Sequence, residues 1–267
     1  KVLPKLQTNR MRLLLNMPFV NKKVFEKIRE QVVNAFGGKF YEIIVGGAAF
    51  NQEVEQFLQR IEFPYTVGYG ATECAPIICY ADCHDFVAGS CGKPVVHMEV
   101  KIDSPDPQDV PGEILARGLN VMLGYFKNEE ATAQTLDADG WYHTGDLGLM
   151  DADGNVFIKG RSKNMLLGAS GQNIYPEEIE DKLNSLNMVN ECIVVQRGEK
   201  LVGLVYPDFD EAATMQLNDS DLENIMEENR QELNASQPPY CRLAAIEIVK
   251  EEFEKTPKKS IKRYLYK

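Results

Sequence analysis

The sequence contains no long apolar run, and no stretch approaches the ~18 residues of a membrane-spanning helix. Its first residues also lack the charged and then apolar segments of a secretory signal peptide. From these two absences we expect no transmembrane segment, and the reduced thiols described below indicate a cytoplasmic protein. They leave peripheral contact with a membrane surface open.

Basic residues are in the minority, because 29 Lys and Arg stand against 40 Asp and Glu, for a net charge of −11 at pH 7. A broad nucleic-acid surface is not expected, since phosphate binding requires clustered cations. The one basic concentration is the C-terminal PKKSIKRYLYK. Its simplest interpretation is a solvated tail.

Cysteine is sparse, with six residues in 267, which excludes a disulfide scaffold and predicts reduced thiols. Four of them lie in ECAPIICYADCHDFVAGSC together with His84, at positions 74, 79, 83 and 91. Zinc sites normally contain a tight pair such as C-x-x-C, and spacings of five, four and eight fit poorly. We therefore expect small buried thiols.

The first part of the chain alternates between helical and extended patterns. Residues 1–38 have helical spacing, Tyr41 to Val45 is an apolar strand, a helix follows from Asn51, and 64–67 is a second short strand. Strand, helix and strand in this order predict a parallel sheet with ligand-binding loops at its carboxyl edge. We expect an α/β unit over 1–95.

Two glycine-rich loops follow these strands, GGAA after the first and GYGATE after the second. Glycine after a strand is often only a turn, so GGAA alone is weak evidence. GYGATE is stronger because it adds a flat ring, a hydroxyl and a hard oxygen ligand for Mg²⁺. The candidate residues are Gly46, Gly47 and Ala48 in the first loop and Tyr69, Gly70, Thr72 and Glu73 in the second.

A β-rich, barrel-like part is expected over 96–161, and it ends in a hairpin. LGLM and NVFIK are β-favouring runs separated by DADG, where Gly154 can take positive φ. Asp146 and Arg161 bracket the hairpin, whose outer ends return close together. Taken singly, most such residues are a turn aspartate and a solvated arginine. Together they suit a polyhydroxylated or phosphorylated ligand.

An α+β pattern follows, and we expect a separate domain over 162–267. Pro176 and two glutamates begin a helix. CIVV and LVGLVY form a hairpin, Ser220 to Glu223 makes a capping box for a long helix, and AIEIV completes the sheet.

TGD, the hairpin, GRSKN and GQNIYPEEIE together resemble the C-terminal half of the adenylate-forming (AMP-binding) enzymes. This superfamily contains acyl-CoA synthetases, luciferases and peptide-synthetase adenylation domains. GEILARGLNVMLGYFKN also follows a family pattern, which we interpret as mainly structural. The resemblance implies the end of a large adenylation domain over 1–161 and a small mobile lid domain over 162–267.

The resemblance also implies which residues bind the nucleotide. The first glycine loop would lie against adenine, while Tyr69 would contact adenine, Thr72 phosphate and Glu73 Mg²⁺. Asp146 and Arg161 would hold the ribose.

In the lid, the resemblance makes Lys163 the hinge and places backbone near Gly171 at the CoA entrance. Family members often end in Pro-Lys-Thr-x-x-Gly-Lys-Ile-x-Arg, whose lysine neutralises charge during adenylation. In KTPKKSIKR, Ser260 occupies that lysine's position. Lys259 is our choice of catalytic lysine, with Lys258 and Lys262 as neighbours, and a solvated tail is an equal alternative for each.

The implied function is an AMP-forming acyl-CoA ligase that uses ATP, Mg²⁺ and CoA on a fatty acid. His143 in WYHTGDLG, rather than the Arg common in peptide-synthetase domains, favours the long-chain type. An aryl-acid or peptide-synthetase adenylation domain and a catalytically dead nucleotide-binding module are the alternatives. No Ser/Thr/Gly-rich loop for the β and γ phosphates is present, so we expect a fragment that is inactive alone.

Overall fold

The structure, a computed structural model, describes residues 18–47, 50–168, 170–257 and 259–266. The helices are α1 Pro18–Ala35, α2 Gln52–Arg60, α3 Glu129–Thr135, α4 Pro176–Asn184, α5 Phe209–Thr214 and α6 Asp219–Ala235. The strands are β1 Ile43–Val45, β2 Tyr65–Val67, β3 Tyr69–Gly70, β4 Ile77–Tyr80, β5 Lys93–Pro94, β6 Met98–Asp103, β7 Gly112–Gly118, β8 Tyr142–Met150, β9 Val156–Arg161, β10 Leu166–Leu167, β11 Asn173–Ile174, β12 Val189–Arg197, β13 Lys200–Pro207 and β14 Leu243–Ile248. In the part of the chain described, no helix has the length and apolarity to cross a membrane.

The first part has the predicted strand, helix and strand, with β1 and β2 paired in parallel. The helix between them is capped by Asn51, whose side chain accepts a hydrogen bond from the Val54 N–H at 3.0 Å. Ile61, Phe63 and Tyr65 form the buried centre of this unit. The expected first helix is present as α1, and the remainder of that expectation, at 1–17, lies outside the described residues.

The middle part is an antiparallel sheet in the order β6-β7-β8-β9. The predicted hairpin is present as β8 and β9. Ile114 of β7 and Val156 of β9 pack with Ile78 of β4 in a buried cluster. Among the described strands, β6 and β9 stay unpaired with each other, so this sheet is open and does not close into a barrel.

The last part is an α+β unit built on the sheet β12-β13-β14. Leu183 of α4 and Met226 of α6 pack against one side of this sheet, and Phe253 packs in a second cluster with Ile193 and Leu204. Together with the first two parts, it confirms the expected mixed α/β and α+β class.

The predicted capping box at Ser220 to Glu223 is wrong. The Asn218 side chain accepts from the Asp221 N–H at 3.0 Å, and the Asp221 carboxylate accepts from the Asn218 N–H at 2.9 Å. This reciprocal pair satisfies two of the helix's unpaired N–H groups, so α6 begins at Asp219.

A buried ion pair joins the C-terminal segment to α4. Arg263 pairs with Glu180, which also accepts from the Val194 N–H at 2.5 Å. Burial raises the pKa of Glu180, whereas Arg263 lowers it. The guanidinium therefore offsets part of the cost of burying this carboxylate and anchors the segment to α4.

We predict that Arg263→Met lowers the free energy of unfolding by about 3 to 5 kcal/mol at neutral pH, because Glu180 is left buried without its partner. A raised carboxyl pKa in the folded state costs stability as pH rises through it. The deficit should therefore shrink on acidification. Urea unfolding at several pH values measures it.

Lys250→Met is the control, because Lys250 pairs with Asp219 where both side chains are largely exposed. It should change stability little. Equal destabilisation by both variants would mean that the Arg263 pair contributes no more than a surface contact.

Candidate functional site

The centre of the site is Asp146, both of whose carboxylate oxygens are engaged. Oδ2 accepts from the Tyr69 hydroxyl at 2.6 Å, and Oδ1 lies 2.8 Å from Nε of Arg161 in an ion pair. The Asp146 side chain is 11% exposed and that of Arg161 is 62% exposed, so the guanidinium is open to a ligand. Each oxygen keeps a further lone pair for a hydroxyl donor.

Burial raises the pKa of Asp146, while the Tyr69 hydroxyl and then the Arg161 guanidinium lower it. The two partners therefore offset the cost of placing a carboxylate in this position. Burial also raises the pKa of Tyr69, with Asp146 adding to the effect, so this hydroxyl stays a donor.

The TGD sequence positions Asp146 on β8, directly opposite Arg161 on β9. Thr144 donates to the Ile114 carbonyl at 2.7 Å and accepts from the Asp146 N–H at 3.0 Å. Gly145 has a φ of +69°, which side-chain-bearing residues rarely adopt. Thr144 thus fixes the backbone of the aspartate to the neighbouring strand.

The two glycine loops adjoin each other. The Gly68 N–H donates to the Val45 carbonyl at 2.8 Å, and a Cβ atom on Gly46 would lie 3.2 Å from the Gly68 carbonyl. Gly47 has a φ of +88° with open space beside it, and Ala48 lies outside the described residues. Gly46 and Tyr69 therefore lie at the same edge of the β1–β2 sheet.

Gly70 is required by the turn that follows Tyr69. A Cβ atom at Gly70 would lie 2.2 Å from the Pro76 carbonyl oxygen, whose position is fixed by a 2.8 Å bond from the Ala71 N–H. No other residue fits this contact without a backbone shift. The turn presents Thr72, which is exposed, at the start of a 3₁₀ segment.

Glu73 has a partner that the sequence interpretation missed. Its Oε1 accepts from the Tyr125 hydroxyl at 2.8 Å, across 52 positions of sequence. Burial and then this bond raise the pKa of Tyr125. The only sequence signal for this contact is the Gly-Tyr of GEILARGLNVMLGYFKN, a pattern that the sequence alone indicates to be structural. The carboxylate of Glu73 and the hydroxyl of Thr72 are hard oxygen donors, so they fit Mg²⁺.

The candidate lid residues lie on turns. Lys163 is exposed in the 3₁₀ segment Ser162–Asn164 that directly follows β9. Gly171 has a φ of +83° in the turn between β10 and β11, with nothing within 4 Å of the space beside it. Its N–H donates to the Gly168 carbonyl at 2.9 Å.

Lys259 is exposed on a turn with a φ of 61°, where its N–H donates to the Thr256 carbonyl at 2.8 Å. Among the described basic residues from 251 to 266, Lys255, Lys262 and Arg263 pair with acids and Lys259 pairs with none. Lys258 lies outside the described residues. Within the described part, no hydrogen bond or ion pair joins Lys259 to Asp146 or Arg161.

Polar contacts connect α4 to the preceding part of the chain. Near the start of the helix, Asn164 donates to Glu177 at 2.7 Å and Lys159 donates to Glu178 at 2.8 Å. At its other end, the Asn51 side chain donates to the Ser185 hydroxyl at 2.7 Å. Such contacts are individually weak and readily exchanged for water.

Two family models match the chain. "AMP-binding enzyme" covers residues 6–126, and "AMP-binding enzyme C-terminal domain" covers 163–266. The chain therefore belongs to the AMP-binding enzyme superfamily.

Curated relatives include peroxisomal long chain acyl-CoA synthetase 7 of Arabidopsis thaliana, 39% identical over 66% of this chain and 26% of that protein. 4-coumarate-CoA ligase 1 of Narcissus pseudonarcissus is 36% identical over 66% of this chain and 35% of its own length. The chain thus spans about a quarter to a third of these relatives. The structure of Bacillus subtilis O-succinylbenzoate coenzyme A synthetase with AMP has the same fold, with a TM-score of 0.69, 22% identity and coverage of 91% of this chain and 49% of that one.

We predict that Arg161→Met raises the pKa of Asp146 further, because the guanidinium stabilises the ionised form. A pH titration of the Asp146 carboxyl carbon by NMR measures this. Arg197→Met removes the pair with Glu247 and should leave the Asp146 titration unchanged. An unchanged Asp146 pKa in Arg161→Met would contradict the electrostatic role of the pair.

Proposed function

We propose that this chain supplies the ribose-binding, Mg²⁺-binding and lid residues of an AMP-forming acyl-CoA ligase. A fatty acid carboxylate attacks the α-phosphorus of ATP, which gives an acyl-adenylate and releases pyrophosphate. The CoA thiol then attacks the acyl carbonyl, loses its proton to solvent and releases AMP. The observation that carries this proposal is the Tyr69–Asp146–Arg161 contact, which joins two family motifs at one carboxylate.

In the proposed complex, Asp146 accepts hydrogen bonds from two adjacent ribose hydroxyls through its remaining lone pairs. Arg161, whose side chain is 62% exposed, donates to the ribose or to a phosphate. Gly46 and Gly47 offer bare backbone beside Tyr69, which allows adenine to approach this edge. The arrangement holds the nucleotide in one orientation before chemistry.

Thr72 and Glu73 would hold the reacting phosphate. Glu73 is a ligand for Mg²⁺, and the metal supplies charge neutralisation for the phosphates when bound. The Tyr125 hydroxyl donates to Oε1 of Glu73 at 2.8 Å and so holds this carboxylate in place. Thr72 donates its hydroxyl to a phosphate oxygen.

The lid function is proposed for residues 162–267, with rotation at Lys163. Support comes from the contacts of α4 with the preceding part, which are polar and few enough to break in a rotation. In one orientation Lys259, which has no acidic partner among the described residues, would neutralise charge at the phosphate. In the other, the open turn at Gly171 would meet CoA.

The proposed acid is a long-chain fatty acid, because the most identical relative reported above is a long chain acyl-CoA synthetase. His143 adds little, since its Nδ1 lies 2.9 Å from Glu113 within the sheet. The 4-coumarate ligase relative favours a second candidate, an aryl-acid CoA ligase. The cytoplasmic location remains a prediction.

Acid-dependent pyrophosphate exchange by the full-length protein tests the proposal. We expect a long-chain fatty acid to stimulate exchange more than a short-chain acid or 4-coumarate. Preference for 4-coumarate would establish the second candidate, and no stimulation by any acid would indicate a nucleotide-binding module without ligase activity.

We predict that Asp146→Ala in that protein raises the KM for ATP at least about tenfold, because charge-assisted bonds of roughly 1.5 to 3 kcal/mol each are lost. The KM for the acid should change far less. Asp153→Ala, at an exposed position in the turn of the same hairpin, is the control and should match the parent. An unchanged KM for ATP in Asp146→Ala would mean that Asp146 has only a structural role and does not bind ATP.

We predict that Lys163→Pro separates the half-reactions. Proline fixes φ near −65° and restricts the residue before it, so one lid orientation should be lost. Acyl-AMP formation should persist while thioester formation from supplied acyl-AMP fails, both measured in single turnovers. Lys163→Ala removes the charge and keeps the backbone free, so it should retain both. Equal retention or equal loss of both steps in Lys163→Pro would argue against a hinge there.

A further inference from the structure

A cluster of unlike donor groups lies outside the proposed nucleotide site, on the turn after β4. Asp82, Cys83 and His84 place a carboxylate oxygen, a sulfur and a ring nitrogen within 4.8 Å of one another. The sequence spacing had suggested that the thiols are buried. That holds for Cys74, Cys79 and Cys91, whereas Cys83 is partly exposed.

The contacts of this cluster converge on one atom, Nδ1 of His84. It lies 2.7 Å from Oδ1 of Asp82, 3.1 Å from the Tyr41 hydroxyl and 3.5 Å from Sγ of Cys83. One ring nitrogen carries either one proton or one lone pair, so it can complete only one of these hydrogen bonds at a time. A cation between the groups would be bound by the carboxylate oxygen, the sulfur and the ring nitrogen at the same time.

The separations are close to those around a tetrahedral zinc ion. Bonds of about 2.3 Å to sulfur and about 2.0 Å to nitrogen put those two ligands about 3.5 Å apart, which equals the Cys83–His84 separation. A nitrogen and an oxygen ligand would be about 3.3 Å apart, so Asp82 must move away by about 0.6 Å. Its side chain is 35% exposed and that of His84 is 73% exposed, which leaves room for this adjustment.

The turn is held before any ion binds. The Cys83 N–H donates to the Glu42 carboxylate at 2.9 Å, and the Asp85 N–H donates to the Asp82 carbonyl at 2.9 Å. The Tyr41 hydroxyl donates to the second oxygen of Asp82 at 2.8 Å. The three ligands therefore start from a common, ordered backbone, as a metal site requires.

The local charge also favours a cation. The carboxylates of Asp82 and Glu42 give this turn a negative potential, and Glu42 lies close enough to accept from the Cys83 N–H at 2.9 Å. The same negative potential attracts a divalent ion, which in turn stabilises the thiolate.

We propose that Asp82, Cys83 and His84 bind a divalent transition-metal ion of the Zn²⁺ class. Thiolate, imidazole and carboxylate together select zinc-like ions over Mg²⁺, which prefers oxygen ligands alone. On binding, the Cys83 thiol gives its proton to solvent and its sulfur bonds to the metal. Water completes the coordination, and no oxidation or reduction takes place. The site is independent of the ligase function proposed above.

Titration of the full-length, reduced, metal-free protein with Co²⁺, followed by competition with Zn²⁺, tests the site. We expect one equivalent of Co²⁺ to give thiolate-to-metal charge-transfer absorption that Zn²⁺ removes. Cys83→Ser should abolish this absorption and weaken Zn²⁺ binding at least about tenfold. His84→Ala should weaken it similarly, and Zn²⁺ should raise the Tm of the parent but not of either variant.

Two matched controls use the same residue types elsewhere. Cys241 is also partly exposed, and His97 is exposed. Cys241→Ser and His97→Ala should bind Co²⁺ and Zn²⁺ as the parent does. Absence of charge-transfer absorption in the parent, or Zn²⁺ affinity unchanged by Cys83→Ser, would overturn the proposal. Melting without metal confirms that the variants fold, so a loss of binding reports on the ligands.

Discussion

The candidate site depends on one buried carboxylate that has two partners. Removing Asp146 from water is costly, and the Tyr69 hydroxyl and the Arg161 guanidinium compensate that cost on opposite oxygens. Because Tyr69 lies 77 positions before Asp146, this contact fixes the second glycine loop against the antiparallel sheet. The hydrogen bonds of Thr144 restrict the backbone at Asp146. The narrow turn at Gly70 restricts the backbone next to Tyr69.

Much of the fold was predictable from the sequence because its elements have strong local signals. The β8–β9 hairpin combines β-favouring runs with a turn that ends at Gly154, and the α4 helix begins at Pro176 after an extended segment. The start of α6 was not predictable in this way. Ser220 to Glu223 and Asn218 to Asp221 have equally good capping patterns, and only the hydrogen bonds of the folded chain distinguish them.

The residues of the candidate site also fall into those that the sequence predicts and those that it does not. Asp146 and Arg161 were predictable because strand pairing brings hairpin ends together. Tyr125 was not, because its bond to Glu73 depends on how a loop folds back across the sheet. The grouping of Asp82, Cys83 and His84 was also missed, since the expected spacing of cysteine pairs does not describe a site that takes one ligand of each kind from consecutive residues. Contacts between neighbours on a tight turn depend on the dihedral angles of the folded backbone.

The ion pair between Arg263 and Glu180 has a consequence for how the proposed lid would move. It ties the segment that carries Lys259 to α4, while Ile174, beside the Gly171 turn, packs in the same core as Ile179 of that helix. The lysine turn and the glycine turn are therefore both connected to α4 and belong to one packed piece. A single rotation at the start of this piece would withdraw one turn as it presents the other, so the two half-reactions would exclude each other in time without a separate gate.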